Sequence, residues 1–233
     1  MPKDNELLER FKTEAALTGA QIKVASSAEE AVEYVLGLAK EKGITTVVKS
    51  TSSIADRLDL AARLSKAGIK VMETSIAQWA AQLARGQEVP IDKLAELVSA
   101  ATGEKVPAEP EAILRVARRM LKDAYTGAGL GITEADFGIA ETGTLVTLEN
   151  EGNARLAAAL PKLHLTLLDG ARIAGSLADA ADLIKDSPGG IPGHKVPTFI
   201  TYLTGRNTTA DIPGAIFARA QGPAEEHILI LIA

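Results

Sequence analysis

The 233-residue sequence contains no cysteine. Disulfides, thiolate zinc sites, cysteine-bound iron–sulfur clusters and a cysteine nucleophile are therefore excluded from this chain. Aromatic residues are scarce, at 3%, so the core has to be built from Ala, Leu, Ile and Val. The three histidines, His164, His194 and His227, lie far apart, and none has a second ligand at helix or hairpin spacing, so no metal site is expected. No apolar run approaches the ~20 residues of a membrane span. Met1 to Arg10 is polar and acidic, unlike a basic and apolar leader, and the chain reads as cytoplasmic. Basic excess is lacking too: a net charge of −5 and a pI near 5.4 argue against general nucleic-acid binding. Neither a strand-linked GxGxxG nor a GxxxxGK[ST] motif occurs, so nucleotide binding by those devices is not expected.

What is present is an ordinary globular composition, with 46% hydrophobic residues. Leu7, Phe11 and Ala15 recur at helical spacing in a first helix from Asp4 to Thr18, and Gln21 to Ala25 suits a short strand. Ser27 with Glu30 fits a capping box that opens a helix to about Lys42. Ile44–Lys49 reads as a buried strand, followed by a hydroxyl-rich loop, one helix to Gly68 and a strand at Ile69–Met72. This alternation signals a parallel sheet with right-handed crossovers. Three helical stretches then occupy about 75–126. Shorter strands follow at 138–140, 144–148, 163–168, 198–203, 215–218 and 227–232, with a helix at 177–184. The expected class is α/β, a mostly parallel sheet flanked by helices with a helical insertion. Residues 1–43 form a lead-in packed on a main domain of 44–233.

Four separated motifs resemble the signature of the lactate-utilisation (LUD) domain family. They are the run Gly131–Leu145, the run Glu149–Arg155 followed by Leu160-Pro161-Lys162-Leu163-His164, the run Thr204–Ile212, and Gln221-Gly222-Pro223 before the last strand. Lys49-Ser50 after the early strand is similar to the family as well. The resemblance implies a fold like the ribose-phosphate isomerase and coenzyme A transferase group. It also implies a part in the oxidation of lactate to pyruvate beside iron–sulfur subunits. Without cysteine the chain looks more like the cluster-free C type of the family, whereas the Glu141-Thr142-Gly143 and asparagine-rich motifs are closer to the B type.

The motifs also carry chemistry of their own. Glu141 sits in a strand–turn–strand with Thr142 and Gly143. In the coenzyme A transferase group a glutamate in a comparable glycine turn is a nucleophile, so Glu141 could serve so or as a general base; alternatively it only holds the turn's amides. Asn150, Asn153 and Arg155 could orient a carboxylate, or close a hairpin. Gly205, Arg206, Asn207, Thr208, Thr209 and Asp211 form a small-residue loop able to present amides, charge and hydroxyls to an anion, and Lys49, Ser50 and Ser52 repeat that design. Glu141, Asn153, Arg155, Arg206 and Thr208 are expected to converge on one crevice. The functional expectation is a non-redox component of a lactate-utilisation system that binds a small carboxylate or other anion. It would hold no cofactor itself and would work with iron–sulfur partner proteins. The alternative is a free-standing acyl-transferase-like or isomerase-like enzyme using Glu141.

Overall fold

The computed structural model describes residues 2–187, 196–206 and 223–232, with side chains from residue 5. Helix α1 (Pro2–Leu17) leads into β1 (Gln21–Ala25). Ser27 accepts from the Glu30 N–H and opens α2 (Ala28–Glu41), whose apolar stripe from Ala31 to Ala39 is buried. Strand β2 (Thr46–Lys49) runs into α3 (Ser53–Arg57) and α4 (Leu60–Lys66). The sequence reads these as one helix; Asp59, at φ 49°, divides it, because a left-handed residue cannot continue a right-handed helix. After β3 (Lys70–Glu73) come α5 (Ile76–Leu83), α6 (Ile91–Thr102) and α7 (Pro110–Gly127), which fill the expected helical stretch.

Strand β4 (Leu130–Ala135) turns at Asp136 into β5 (Phe137–Ile139), and the Glu-Thr-Gly turn links β5 to β6 (Thr144–Glu149). Helix α8 (Asn153–Ala159) follows, then β7 (Leu163–Asp169), β8 (Ile173–Ala174), α9 (Leu177–Asp186), β9 (Phe199–Leu203) and β10 (Glu225–Leu231). The strand expected at 215–218 lies outside the described residues. Sequence periodicity missed β8 and α8, which are short, and did not mark β4 as a strand of its own.

Six strands form one sheet in the order β1-β10-β7-β4-β2-β3, and every neighbouring pair is parallel. The protein is thus α/β with a parallel sheet flanked by helices. The leucine-rich β7 and β10 are interior strands, buried on both faces. Strand β1, within the expected lead-in, is the edge strand beside β10. A smaller sheet has the order β8-β5-β6-β9. Helices α2, α3 and α4 cover one face of the large sheet. Its other face is covered by α5–α7 over β2 and β3, and by α1 with the small sheet over β7 and β10.

Helix α8 lies close on β4. A Cβ on Gly131 would fall 1.9 Å from the Ala157 carbonyl oxygen, so no larger residue fits without displacing the helix. Gly131→Ala is expected to cost about 3 kcal/mol in urea unfolding, the upper range for overpacking. Gly37→Ala, on the exposed side of α2 with nothing within 4 Å of the added methyl, is expected to stabilise by about 0.5–1 kcal/mol.

Candidate functional site

The chain leaves β2 in one direction to reach β3, then returns past β2 to reach β4. The first crossover, α3–α4, packs on one face of the sheet, and the second, α5–α7, on the other. Helices on opposite faces diverge above the β2–β4 boundary and leave a crevice at the strands' carboxyl ends, the place where open α/β sheets collect ligands. A cavity of about 370 Å³ occupies that position, lined by Ser50–Ser53, Glu134, Asp136, residues 147–151, Asn153 and Ala154.

Its walls are held by carboxylates at two helix starts. Glu134 accepts from Ser52 Oγ at 2.6 Å, Ser53 Oγ at 2.9 Å and the Ile54 N–H at 2.9 Å. It therefore fixes the β2–α3 loop to the end of β4. Glu149 accepts from the Ala154 and Arg155 N–H groups at 2.7 and 3.0 Å at the start of α8. Negative charge is favourable there because unpaired amides and the helix dipole face it. After β2, the loop that the sequence offered to a bound anion thus donates instead to the protein's own Glu134. Asp136 accepts from the Leu148 N–H at 2.7 Å, and burial pushes its carboxyl above the usual range. Tyr125 donates to the Asn153 carbonyl at 3.3 Å; burial raises its phenol to about 12.

The expected site residues separate into two groups. Ser50, Ser52, Asn150 and Asn153 line the crevice. Asn150 also accepts from the Thr198 N–H at 2.9 Å, and Asn153 donates to Glu151 at 2.9 Å. Lys49 lies beneath, 1% exposed, with its ammonium 3.1 Å from Glu73 and 3.2 Å from Asp56. Arg155 turns away, its guanidinium 5.1 Å above the Phe199 ring. The other group gathers around α1. A Cβ on Gly143 would fall 2.2 Å from the Ala15 nitrogen, and one on Gly205 would meet Thr18. The Arg206 side chain passes Gly19, and hydroxyl contacts of 2.8 and 2.7 Å join Thr142 to Thr144 and Thr144 to Thr204. Glu141 is exposed in this turn and does not line the crevice.

Strand β6, six residues long, separates the groups by roughly 17 Å at ~3.3 Å per residue. Convergence of Glu141 and Arg206 with Asn153 and Arg155 is therefore corrected: the pairs flank opposite ends of the small sheet. Asn207, Thr208, Thr209 and Asp211 lie outside the described residues. Among the described residues the crevice lining has four carboxylates, from Glu134, Asp136, Glu149 and Glu151, and no lysine or arginine. Sequence reasoning overlooked Glu134, Asp136, Thr147 and Glu149. For the carboxylates the available signal was a pair in each of two runs, Glu134-Ala135-Asp136 and Glu149-Asn150-Glu151, at the ends of β-rich segments.

The LUD domain model matches residues 8–231. "Lactate utilization protein B" of Lysinibacillus sphaericus is 30% identical over 235 residues, covering 96% of this chain and 48% of that protein. The protein of the same name from a Geobacillus strain is 30% identical over 234 residues, with the same coverage. The "Uncharacterized electron transport protein YkgF" of Escherichia coli is 29% identical, covering 91% of this chain and 45% of its own length. This chain spans about half the length of these relatives. Their names do not match the C-type leaning taken from the missing cysteines. A crystal structure of a DUF162 family protein from Deinococcus radiodurans superposes with a TM-score of 0.54 at 15% identity, covering 98% of each chain, and shows the same fold.

Burial of Asp136 has a measurable consequence. A carboxyl whose folded pKa is raised binds its proton more tightly in the native state, so stability falls as pH rises through that value. Asp136→Asn keeps an acceptor for the Leu148 N–H. It is expected to be more stable than the parent at pH 7, with the gain vanishing as pH drops below the unfolded carboxyl value of ~3.9. Urea unfolding at both pH values checks this.

Proposed function

The chain belongs to the LUD domain family, and from that membership and the crevice at the β2–β4 boundary we propose that it is the non-redox, ligand-binding component of a lactate-utilisation system. Alignment of nearly all of this chain to about half the length of proteins named for lactate utilisation and electron transport supports this reading. The crevice carries it: a cavity of about 370 Å³ is ample for a small organic acid. Its lining mixes carboxylate acceptors with hydroxyl and amide donors, the pairing that a ligand with both a hydroxyl and a carboxylate requires. Negative charge in the lining is moderated, since Glu134 and Glu149 are held at helix starts and burial favours the neutral form of Asp136.

Two electrons leave lactate on its conversion to pyruvate, and side chains of this composition cannot accept them. These 233 residues contain no cysteine, so any cluster-bound iron is held outside them, in this reading on an iron–sulfur partner. The domain's part is to bind and orient the acid beside that partner. Tagged protein recovered from cells grown on lactate is expected to bring down a cysteine-rich protein with stoichiometric iron and acid-labile sulfide. Recovery of the chain alone after crosslinking on lactate, as on another carbon source, would remove the partnership from the proposal.

A further inference from the structure

Behind the crevice, three neighbouring strands of the large sheet bury an acid, a histidine and a hydroxyl on one face. His164 of β7 is 1% exposed, Glu226 of β10 1% and Thr133 of β4 2%. His164 Nδ1 lies 2.7 Å from Glu226 Oε2, and His164 Nε2 lies 2.8 Å from Thr133 Oγ1. The second Glu226 oxygen accepts from Thr166 Oγ1 at 3.2 Å. A carboxylate is an acceptor, so Nδ1 donates to it, and the Nε2 lone pair is left to receive the Thr133 hydroxyl proton. Carboxylate, imidazole and hydroxyl in that order form the arrangement by which a base draws a proton from an oxygen.

Packing alone does not call for these groups. Replacing a buried ionic pair by apolar side chains of similar volume is often neutral or stabilising. Their surroundings point elsewhere. A void of about 10 Å³, lined in part by Thr147, Thr166, Thr201 and Arg155, adjoins Thr133 and His164. That is room for about one water. Thr147 and Ala154 line both this void and the crevice, so a single layer separates the relay from a ligand bound there.

We propose that Glu226, His164 and Thr133 are a proton relay serving the crevice, through a water in the void and past Thr147, for a ligand that gives up a hydroxyl proton. The proton leaves the ligand for the water, the water passes one to Thr133 Oγ1, and the Thr133 proton moves to His164 Nε2. The resulting imidazolium is held by the Glu226 carboxylate; no atom is gained or lost, and the return path is the reverse. His164 is thus a positioned base acting through Thr133. This inference rests on the crevice as the ligand site, yet its test needs no ligand.

Nitrogen-15 NMR of the full chain, selectively labelled at histidine, reads ring tautomer and N–H exchange with water. A relay keeps the resting His164 proton on Nδ1 and lets Nε2 take up and release a water-derived proton without opening of the sheet, so exchange at Nε2 is faster than that of the Leu165 and Leu167 amides. Opening-limited exchange takes minutes to hours. Thr133→Val and Thr147→Val are expected to slow His164 exchange by about tenfold or more, and Thr133→Ser to restore it, which separates loss of the hydroxyl from loss of packing. Exchange as slow as the Leu165 amide in the parent protein, or unchanged in both valine variants, would overturn the relay. Failure of lactate to bind would leave these readings unaffected.

Discussion

The Glu134 carboxylate ties the end of β4 to the start of α3, accepting from two serine hydroxyls and one backbone amide. That clamp crosses the boundary where the two crossovers part, and the crevice walls depend on it. Without the carboxylate, Ser52 and the Ile54 N–H would face a partly buried space with no acceptor, at about 1–3 kcal/mol for each group. Glu149 performs the same task on the opposite wall at α8. The crevice is therefore framed by carboxylates already held at helix starts, beside hydroxyl and amide side chains and an Asp136 carboxyl that burial pushes above its usual range.

Close packing fixes where those groups stand. Gly131 lets the α8 backbone lie on β4, which brings Ala154 to the void beside the buried Thr133–His164 pair, next to Thr147 of β6. Gly143, at φ 64°, lets the Glu-Thr-Gly turn lie on the α1 backbone. Two close approaches of the same kind thus serve different ends of the small sheet. The first shapes the crevice; the second anchors α1, whose Phe11 and Ala15 are fully buried against both sheets.

The α/β class was legible because β2 is a short β-branched run, β10 ends in an unbroken apolar one, and the helices between carry regular stripes. The division of α3 from α4 was not, since nothing in Leu58-Asp59-Leu60 marks a left-handed residue. Helix α8 was hidden because Gly152 and Asn153 read equally as a turn. For the site, Ser50, Ser52, Asn150 and Asn153 were legible as polar residues following strands, and they do share the crevice. The pairing of Glu134 with a loop 80 residues earlier was not, because strand order is a tertiary property. For the same reason His164 looked isolated: its partners Thr133 and Glu226 are 31 and 62 residues away and meet it only through the β4-β7-β10 order.

The claim on which the functional reading stands is that a small hydroxy acid occupies the crevice at the β2–β4 boundary. Backbone amide NMR during titration with L-lactate maps the occupied surface directly. Saturable shifts confined to residues 50–54, 134–136 and 147–154 are the expected result. Shifts centred on Glu141, Gly143 and Gly205 at the other end of the small sheet, or no saturable shifts at all, would contradict it.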